Sequence, residues 1–245
     1  MLSRFGEIGE GVTCKVYKAF DKSGNIVAVK AYRKDYITHF YQETEILKIL
    51  NHPNIVKLLD ITNEFEIVLG WIYSNLHTFI KQCNTFQTKI CLRQLLLGVE
   101  YIHSNDIVHC DLTPKNILYD GIRLKICDFG LSQVVGDGLT DTNIITANYR
   151  PPELLLEIAT LYKYEVDMWS VGCIFAEMYP QSKQLFPNFF ELMQDIIKIT
   201  GKIPNPNLLP NLGVGSYDLM IKLLERDPKV RISASNALLH DYLNI

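Results

Sequence analysis

Over the first 70 positions apolar residues recur in short runs broken by turn formers, the pattern of strands rather than long helices. Val16–Phe20 and Ile26–Ala31 read as two strands, and Asp21-Lys22-Ser23-Gly24-Asn25 between them predicts a hairpin. Two further short runs, Ile55–Leu59 and Ile67–Leu69, are expected to extend the same sheet. Between the pairs, Phe40–Leu50 sets Ile46, Leu47, Ile49 and Leu50 on a helical stripe that stops at Asn51-His52-Pro53.

After Gly70 the period changes. Leu92, Leu95, Leu96, Val99 and Ile102 recur at helical spacing, and Val166–Met178 reads as a largely buried helix. The stretch Ile203–Gly215, rich in Pro, Asn and Gly, is expected to be a surface connection. A β-rich first part and a mainly helical second part predict an α+β architecture.

Composition narrows the class without naming a function. The 245 residues, 48% hydrophobic and 21% charged, are ordinary globular usage and exclude a fibrous or largely disordered chain. Lys and Arg number 24 against 27 Asp and Glu, a net charge of −3, so no global basic field exists to hold a nucleic-acid backbone. The longest apolar runs, Leu95–Val99 and Val171–Ala176, fall far short of the roughly 20 residues of a membrane span. Met1–Gly6 lacks the basic start of a secretory signal, so an intracellular protein is expected, with nucleus and cytoplasm both open. Cys14, Cys83, Cys91, Cys110, Cys127 and Cys173 form no C-x-x-C pair and are expected to be reduced, mostly buried thiols.

Three clusters carry chemistry. Ile8-Gly9-Glu10-Gly11-Val12-Thr13-Cys14-Lys15-Val16 places a glycine-rich turn between strands, where absent Cβ atoms let backbone N–H groups approach phosphate oxygens; a plain hairpin turn is the competing reading. Lys30 closes a strand and Glu43 lies on the helical stripe after it, a pair able to clamp phosphates or merely two solvated charges. His109-Cys110-Asp111-Leu112-Thr113-Pro114-Lys115-Asn116, then the strand pair Ile117–Tyr119 and Leu124–Cys127, then Asp128-Phe129-Gly130, supplies two carboxylates and an amide suited to Mg²⁺-assisted phosphoryl transfer.

In this order and spacing the clusters resemble the eukaryotic protein kinases, from Ile8 to the final helix. Tyr149-Arg150-Pro151-Pro152-Glu153 is similar to the family's A-P-E segment with Pro151 in place of Ala, Asp167-Met168-Trp169-Ser170-Val171-Gly172 to its central helix, and Asp227-Pro228-Lys229-Val230-Arg231 to its closing motif, in which Arg231 pairs with Glu153. Asn51–Leu58, Tyr149-Arg150, Asp167–Met178 and Leu185-Phe186-Pro187 resemble the cyclin-dependent kinase branch of the CMGC group. The resemblance implies one bilobal domain over 1–245, with an N-lobe at 1–70, a hinge at 70–74 and a C-lobe at 75–245.

It also implies ATP and Mg²⁺ as cofactors and a role for each matching residue. Lys30 holds the α- and β-phosphates and Glu43 orients it; Asp128 and Asn116 ligate Mg²⁺; Asp111 is the catalytic base; Lys115 reaches the γ-phosphate. Ile8, Gly9, Glu10, Gly11 and Val12 cover the nucleotide. Val16 and Ala28 lie above the adenine and Leu118 below it, Leu69 is the gatekeeper, and Gly70 and Ile72 supply hinge backbone. Leu47, Leu58, His109 and Phe129 match the family's internal spine, and Thr146 near the base favours a serine/threonine substrate. Arg150 and Ile144-Ile145 resemble the segment that selects proline after the target residue, whereas Ala147-Asn148 departs from it.

The departures shape the subtype. Cys14 replaces the third loop glycine, predicting looser phosphate cover, and Thr113 replaces the lysine after the base. Relatives clamp a phosphorylated activation-loop threonine with three arginines; here Gln42, Cys110 and Gln133 stand in those places and Asp141 at the phosphosite. A phosphate carries about −1.5 to −2 charge and seeks Arg partners, so activity without activation-loop phosphorylation is expected, Thr140 and Thr142 being the alternative sites. Ile37–Glu43 does not match the PSTAIRE-type helix, and Lys202–Ser216 is short, so a standard cyclin is doubtful. A monomer resembling the single-subunit kinases that activate cyclin-dependent kinases is one subtype, its protein substrate another kinase's activation loop. A kinase requiring an atypical partner, a catalytically dead scaffold and a small-molecule phosphotransferase are the alternatives. No nucleic-acid or membrane partner is expected.

Overall fold

The computed structural model describes residues 2–62, 65–136, 145–155, 162–179 and 213–244. An antiparallel sheet of five strands opens the chain: β1 (Ser3–Glu10), β2 (Cys14–Phe20), β3 (Ile26–Tyr32), β4 (Leu58–Thr62) and β5 (Glu66–Gly70), in the order β1-β2-β3-β5-β4. The predicted hairpin joins β2 to β3, where Asp21 accepts from the backbone of Ser23 and Asn25 and Gly24 takes the left-handed conformation that a Cβ disfavours. β1 is exposed along its whole length, so its sequence carries no alternation of apolar and polar residues to read.

The helix α1 (Ile37–Ile49) begins one turn before the predicted stripe, because Ile37-Thr38-His39 lead into it without adding to an apolar face. Phe40, Ile46 and Leu47 are buried, but Ile49 is 57% exposed and lies off the stripe assigned to it. The run Ile55–Leu59 is not one strand. Ile55 instead bridges Ile126 in parallel and Val56 donates to the Ile126 carbonyl, so the first half of the run is buried against the C-terminal part and only Leu58 and Leu59 join the sheet. An apolar run reports burial, not which neighbour does the burying.

The second part is mainly helical. It contains α2 (Leu76–Phe79), α3 (Thr85–Ser104), α4 (Pro152–Leu155) and α5 (Glu165–Glu177), with further helices over Val214–Leu223 and Ala234–Leu238. Asn84 caps α3 in a reciprocal capping box with Gln87, and Cys91, Leu92, Leu95, Leu96, Val99 and Ile102 bury the face predicted for it. α5 is buried nearly all round, from Val166 to Ala176. Gly172 in α5 is required by close approach, since a Cβ there would lie 2.7 Å from Leu224 Cδ2. Of the expected surface connection 203–215, residues 203–212 lie outside the described residues, and Val214 and Gly215 begin a helix rather than continue a loop.

One apolar cluster runs from Tyr32, Phe40 and Leu47 through Ile55, Ile117 and Phe129 to Trp169 and Leu219, so the two lobes share a core. The cysteines are all free thiols, five of them buried and Cys127 half-buried. No helix among the described residues is long and apolar enough to cross a membrane.

Candidate active site

Strand alternation places Ala28, Lys30 and Tyr32 on one face of β3. That face meets α1, whose Glu43 is fully buried. Lys30 Nζ lies 2.6 Å from Glu43 Oε2 and 2.8 Å from Asp128 Oδ1, so one ammonium joins the sheet, the helix and the second lobe. Glu43 Oε1 accepts the Phe129 backbone N–H at 3.1 Å. Burial acts to strip the proton from Lys30, but Asp128 and Glu43 outweigh it and hold the ammonium above the ordinary lysine range. Burial likewise acts to raise Asp128, and the adjacent Lys30 wins, keeping that carboxyl below its usual range.

Asp111 occupies the loop after β6 (Ile107–Val108). Asn116, on a single 3₁₀ turn with the exposed Lys115, donates from Nδ2 to Asp111 Oδ2 at 2.8 Å and to the Asp111 carbonyl at 2.9 Å. The Thr146 hydroxyl donates to Asp111 Oδ1. The His109 ring accepts the Asp111 N–H at Nδ1, 3.2 Å away, and so carries its proton on Nε2, which donates to the Cys127 carbonyl at 3.1 Å. Its edge meets the Phe129 ring at a centroid distance of 4.8 Å. Of the four residues of the expected spine, His109 meets Phe129, and Leu47 and Phe129 are buried in the core against which Leu58 packs.

Two segments of the centre are held in a costly conformation, one in the loop of Asp111 and one after the strand Leu124–Ile126. Cys110 and Asp128 have φ of 67° and 68°, the left-handed region, a strain of about 1–3 kcal/mol for each non-glycine residue. Buried Asp167 of α5 offsets it at Cys110 by accepting that residue's N–H at 3.0 Å and the His109 N–H at 2.8 Å; His103 Nε2 lies 2.9 Å from the same carboxylate. Sequence reading recognised Asp167 as part of a motif without this role.

Around this centre lie the residues expected to hold a nucleotide. Ile8, Gly9, Glu10, Gly11 and Val12 are exposed at the β1–β2 turn, which Gly11 closes by donating to the Cys14 carbonyl at 2.9 Å. The Glu10 side chain is tied to Arg33 at 2.6 Å and to Lys15 at 3.4 Å, so its carboxylate is taken up by cations of the turn. Val16, Ala28 and Leu118 are half-buried at the lobe junction, while Leu69 and Ile72 are buried. Gly70 gives its N–H to the Lys57 carbonyl at 2.9 Å, so it has only its carbonyl to offer at the hinge. Cys14 is buried at the start of β2 without a positive φ, so a side chain in place of the loop glycine brings no backbone strain there.

Two contacts were missed by the sequence reading. The Tyr32 hydroxyl donates to Glu43 Oε2, a reach that the two-residue spacing from Lys30 on a strand could have signalled. Gln42, noted only for lacking a charge, donates to the Ser132 carbonyl just beyond Asp128-Phe129-Gly130. Thr140, Asp141, Thr142 and Ile144, together with Leu185-Phe186-Pro187, lie outside the described residues. Arg150 donates to the Ile145 carbonyl at 2.7 Å, and the Arg231–Glu153 pair expected in the C-lobe forms with Nη1–Oε1 at 2.7 Å and Nη2–Oε2 at 2.9 Å.

Chemically, the centre offers an ammonium that stays charged, a deprotonated carboxylate with 45% of its side chain exposed, and a second carboxylate oriented by an amide and a hydroxyl. Asp128 and the Asn116 amide are hard oxygen donors, the chemistry Mg²⁺ takes, so the residues fit that ion.

The bilobal α+β architecture and this centre are those of a protein kinase, and residues 2–243 match the protein kinase domain; the chain belongs to that family. Its domain is of the ATP-dependent serine/threonine class, and the family uses ATP and Mg²⁺. It is 33% identical over 282 aligned residues to a probable serine/threonine-protein kinase of Dictyostelium discoideum, covering 98% of this chain and 55% of that protein. It is 34% identical over 277 residues to the mitogen-activated protein kinase sty1 of Schizosaccharomyces pombe, covering 96% of this chain and 78% of that one. The chain thus spans about half the length of the first relative and about three quarters of the second.

Proposed function

We propose that the protein transfers the γ-phosphate of ATP to serine or threonine hydroxyls of other proteins. The observation that carries this reading is the joint geometry of Lys30, bonded to Glu43 and Asp128, and Asp111, held by Asn116 and Thr146. In this reading Lys30 steadies the α- and β-phosphates and Glu43 fixes the ammonium. The β1–β2 turn covers the phosphates with backbone N–H groups. The adenine lies between Val16 and Ala28 on one side and Leu118 on the other, against Leu69, with the Gly70 carbonyl and Ile72 backbone at its edge. Asp128 and Asn116 hold Mg²⁺, which when bound neutralises charge on the phosphates.

Asp111 orients the substrate hydroxyl and receives its proton as the oxygen–phosphorus bond forms and the bond to ADP breaks. Thr146 keeps Asp111 aimed, and Lys115, exposed on the turn with Asn116, supplies a cation toward the γ-phosphate. A peptide-array assay of the purified protein with ATP and Mg²⁺ tests the reading. Phosphate incorporation that vanishes in Asp128→Asn is expected; a catalytically dead scaffold would show none in either protein.

A cyclin-dependent-kinase-like subtype, with a role in cell-cycle or transcription control, rests on the motif segments around Asn51–Leu58 and Asp167–Met178; the likeness to a mitogen-activated protein kinase weighs against choosing that branch alone. Activity as a monomer, without cyclin and without activation-loop phosphorylation, is supported by one specific contact. Uncharged Gln42 ties α1 to the Ser132 carbonyl where relatives set an arginine for a phosphate. Phosphatase treatment is expected to leave turnover within about twofold, whereas a large loss would exclude this mode. Another kinase's activation loop is the substrate class to try first.

A further inference from the structure

Glu43 is a carboxylate with no exposure to water, and burial pushes its proton affinity up against the pull of Lys30. An ion so placed is stable only when its lone pairs are filled. Lys30 takes Oε2 and the Phe129 N–H takes Oε1. The remaining donor is the phenol of Tyr32, itself only 8% exposed, which also bonds Oε2.

Tyr32 is built into its place from both sides. Its ring packs edge-on against Phe40, with centroids 5.8 Å apart, one helical turn before Glu43. Lys30 Nζ lies 5.1 Å from the centre of the same ring. One aromatic side chain thus touches both members of the Lys30–Glu43 pair and the helix that carries Glu43. The phenol sits on the strand and the carboxylate on the helix, so their bond resists rotation or withdrawal of α1. Gln42, the residue before Glu43 on α1, is anchored to the Ser132 carbonyl.

We propose that the Tyr32 hydroxyl is a positioning group for phosphoryl transfer, locking Glu43, and through it α1, in the orientation that presents Lys30 to the nucleotide. This rests on the reading of Lys30 and Glu43 given above. It supplies an intrachain reason for α1 to stay inward without a docked partner.

The test is a double-mutant cycle between Tyr32→Phe and Glu43→Gln in the full chain, with kcat and KM for ATP measured for all four proteins and hydrogen exchange of α1 followed without nucleotide. Tyr32→Phe keeps the ring against Phe40 and removes only the donor. A hydrogen bond to a charged group corresponds to at least about a tenfold change. Tyr32→Phe is therefore expected to lower kcat/KM about tenfold and to speed exchange in α1 around Glu43, with exchange in β2 and β3 unchanged. In the Glu43→Gln background the same change is expected to add less than twofold. Full activity of Tyr32→Phe beside a defective Glu43→Gln would overturn the proposal alone, as would effects that multiply. Full activity of Glu43→Gln would overturn the reading of the pair as well. Should Tyr32→Phe unfold, Tyr32→Leu, which fits within the same space and carries no donor, replaces it, with the same expected loss and the same overturning result.

Discussion

Among the described residues two cations, Lys30 and Arg231, are buried, and they are satisfied differently. Arg231 spends its guanidinium donors completely: Nε on the Glu225 carbonyl, Nη1 on Glu153 and the Glu165 carbonyl, Nη2 on Glu153 and the Arg226 carbonyl. Lys30 has three donors, and carboxylates take two of them. One partner, Asp128, is still 45% exposed. A saturated cation can only hold a fold, whereas one with a donor left over and a partner facing the cleft can also receive a ligand. The C-lobe pair is therefore structural and the inter-lobe pair is available for chemistry, though both are buried ion pairs.

The sharpest way to break this contrast is to remove each cation in turn. Lys30→Met is expected to lower turnover by about 10²–10³-fold, the range for losing one preorganised electrostatic group. It also leaves Glu43 buried without its cation, so its unfolding midpoint in urea should fall as well, and the contrast between the two variants lies in turnover. Arg231→Met strands Glu153 in the core and is expected to destabilise the protein by about 3–5 kcal/mol, read from urea unfolding, while molecules that remain folded keep their KM for ATP. If Arg231→Met lost catalysis without losing stability, the division of roles would be wrong.

A smaller effect should come from Gly172, which stands where α5 meets Leu223 and Leu224. Gly172→Ala pushes a methyl group against Leu224 and is expected to cost about 1–3 kcal/mol by overpacking, again in urea, with no change in kcat. That outcome would separate C-lobe packing from catalysis a second time.

The smallest effect expected is that of pH on the Lys30–Asp128 pair. Asp128 is depressed in the folded protein, so its contribution is fully present above the unfolded carboxylate value of about 3.9 and fades only as pH falls through the lower folded value. Lys30 is raised, so its contribution is complete below about 10.4 and fades only as pH rises through the higher folded value. Between about pH 5 and 9 the pair should give no slope. Subtracting the thermal-unfolding profile of Asp128→Asn, which leaves Lys30 beside Glu43, from that of the parent protein isolates it, and a slope in the difference across this window would contradict the assignment.

Much of the site was legible because its chemistry is carried by residue types in fixed order. Lys30, Glu43, Asp111, Asn116 and Asp128 could be picked out as a set, and the structure brings them to one place. What escaped notice was the support. Tyr32 looks like any strand aromatic, Gln42 like a surface residue, and the positive φ of Cys110 leaves no trace in its identity. The split of Ile55–Leu59 between a bridge and a strand escaped for the same reason, as did the exposure of Ile49.

The amino-acid order by itself determined the kinds of elements, the face each must bury and the functional groups available, because periodicity and side-chain chemistry are local properties. Tertiary structure alone decided which donor fills which lone pair: that Lys30 reaches across to Asp128, that Tyr32 completes Glu43 and that Asp167 holds the strained catalytic loop. Those choices depend on distances between segments far apart in the chain, and hydrogen bonds and ion pairs count only when such distances close to about 3 Å.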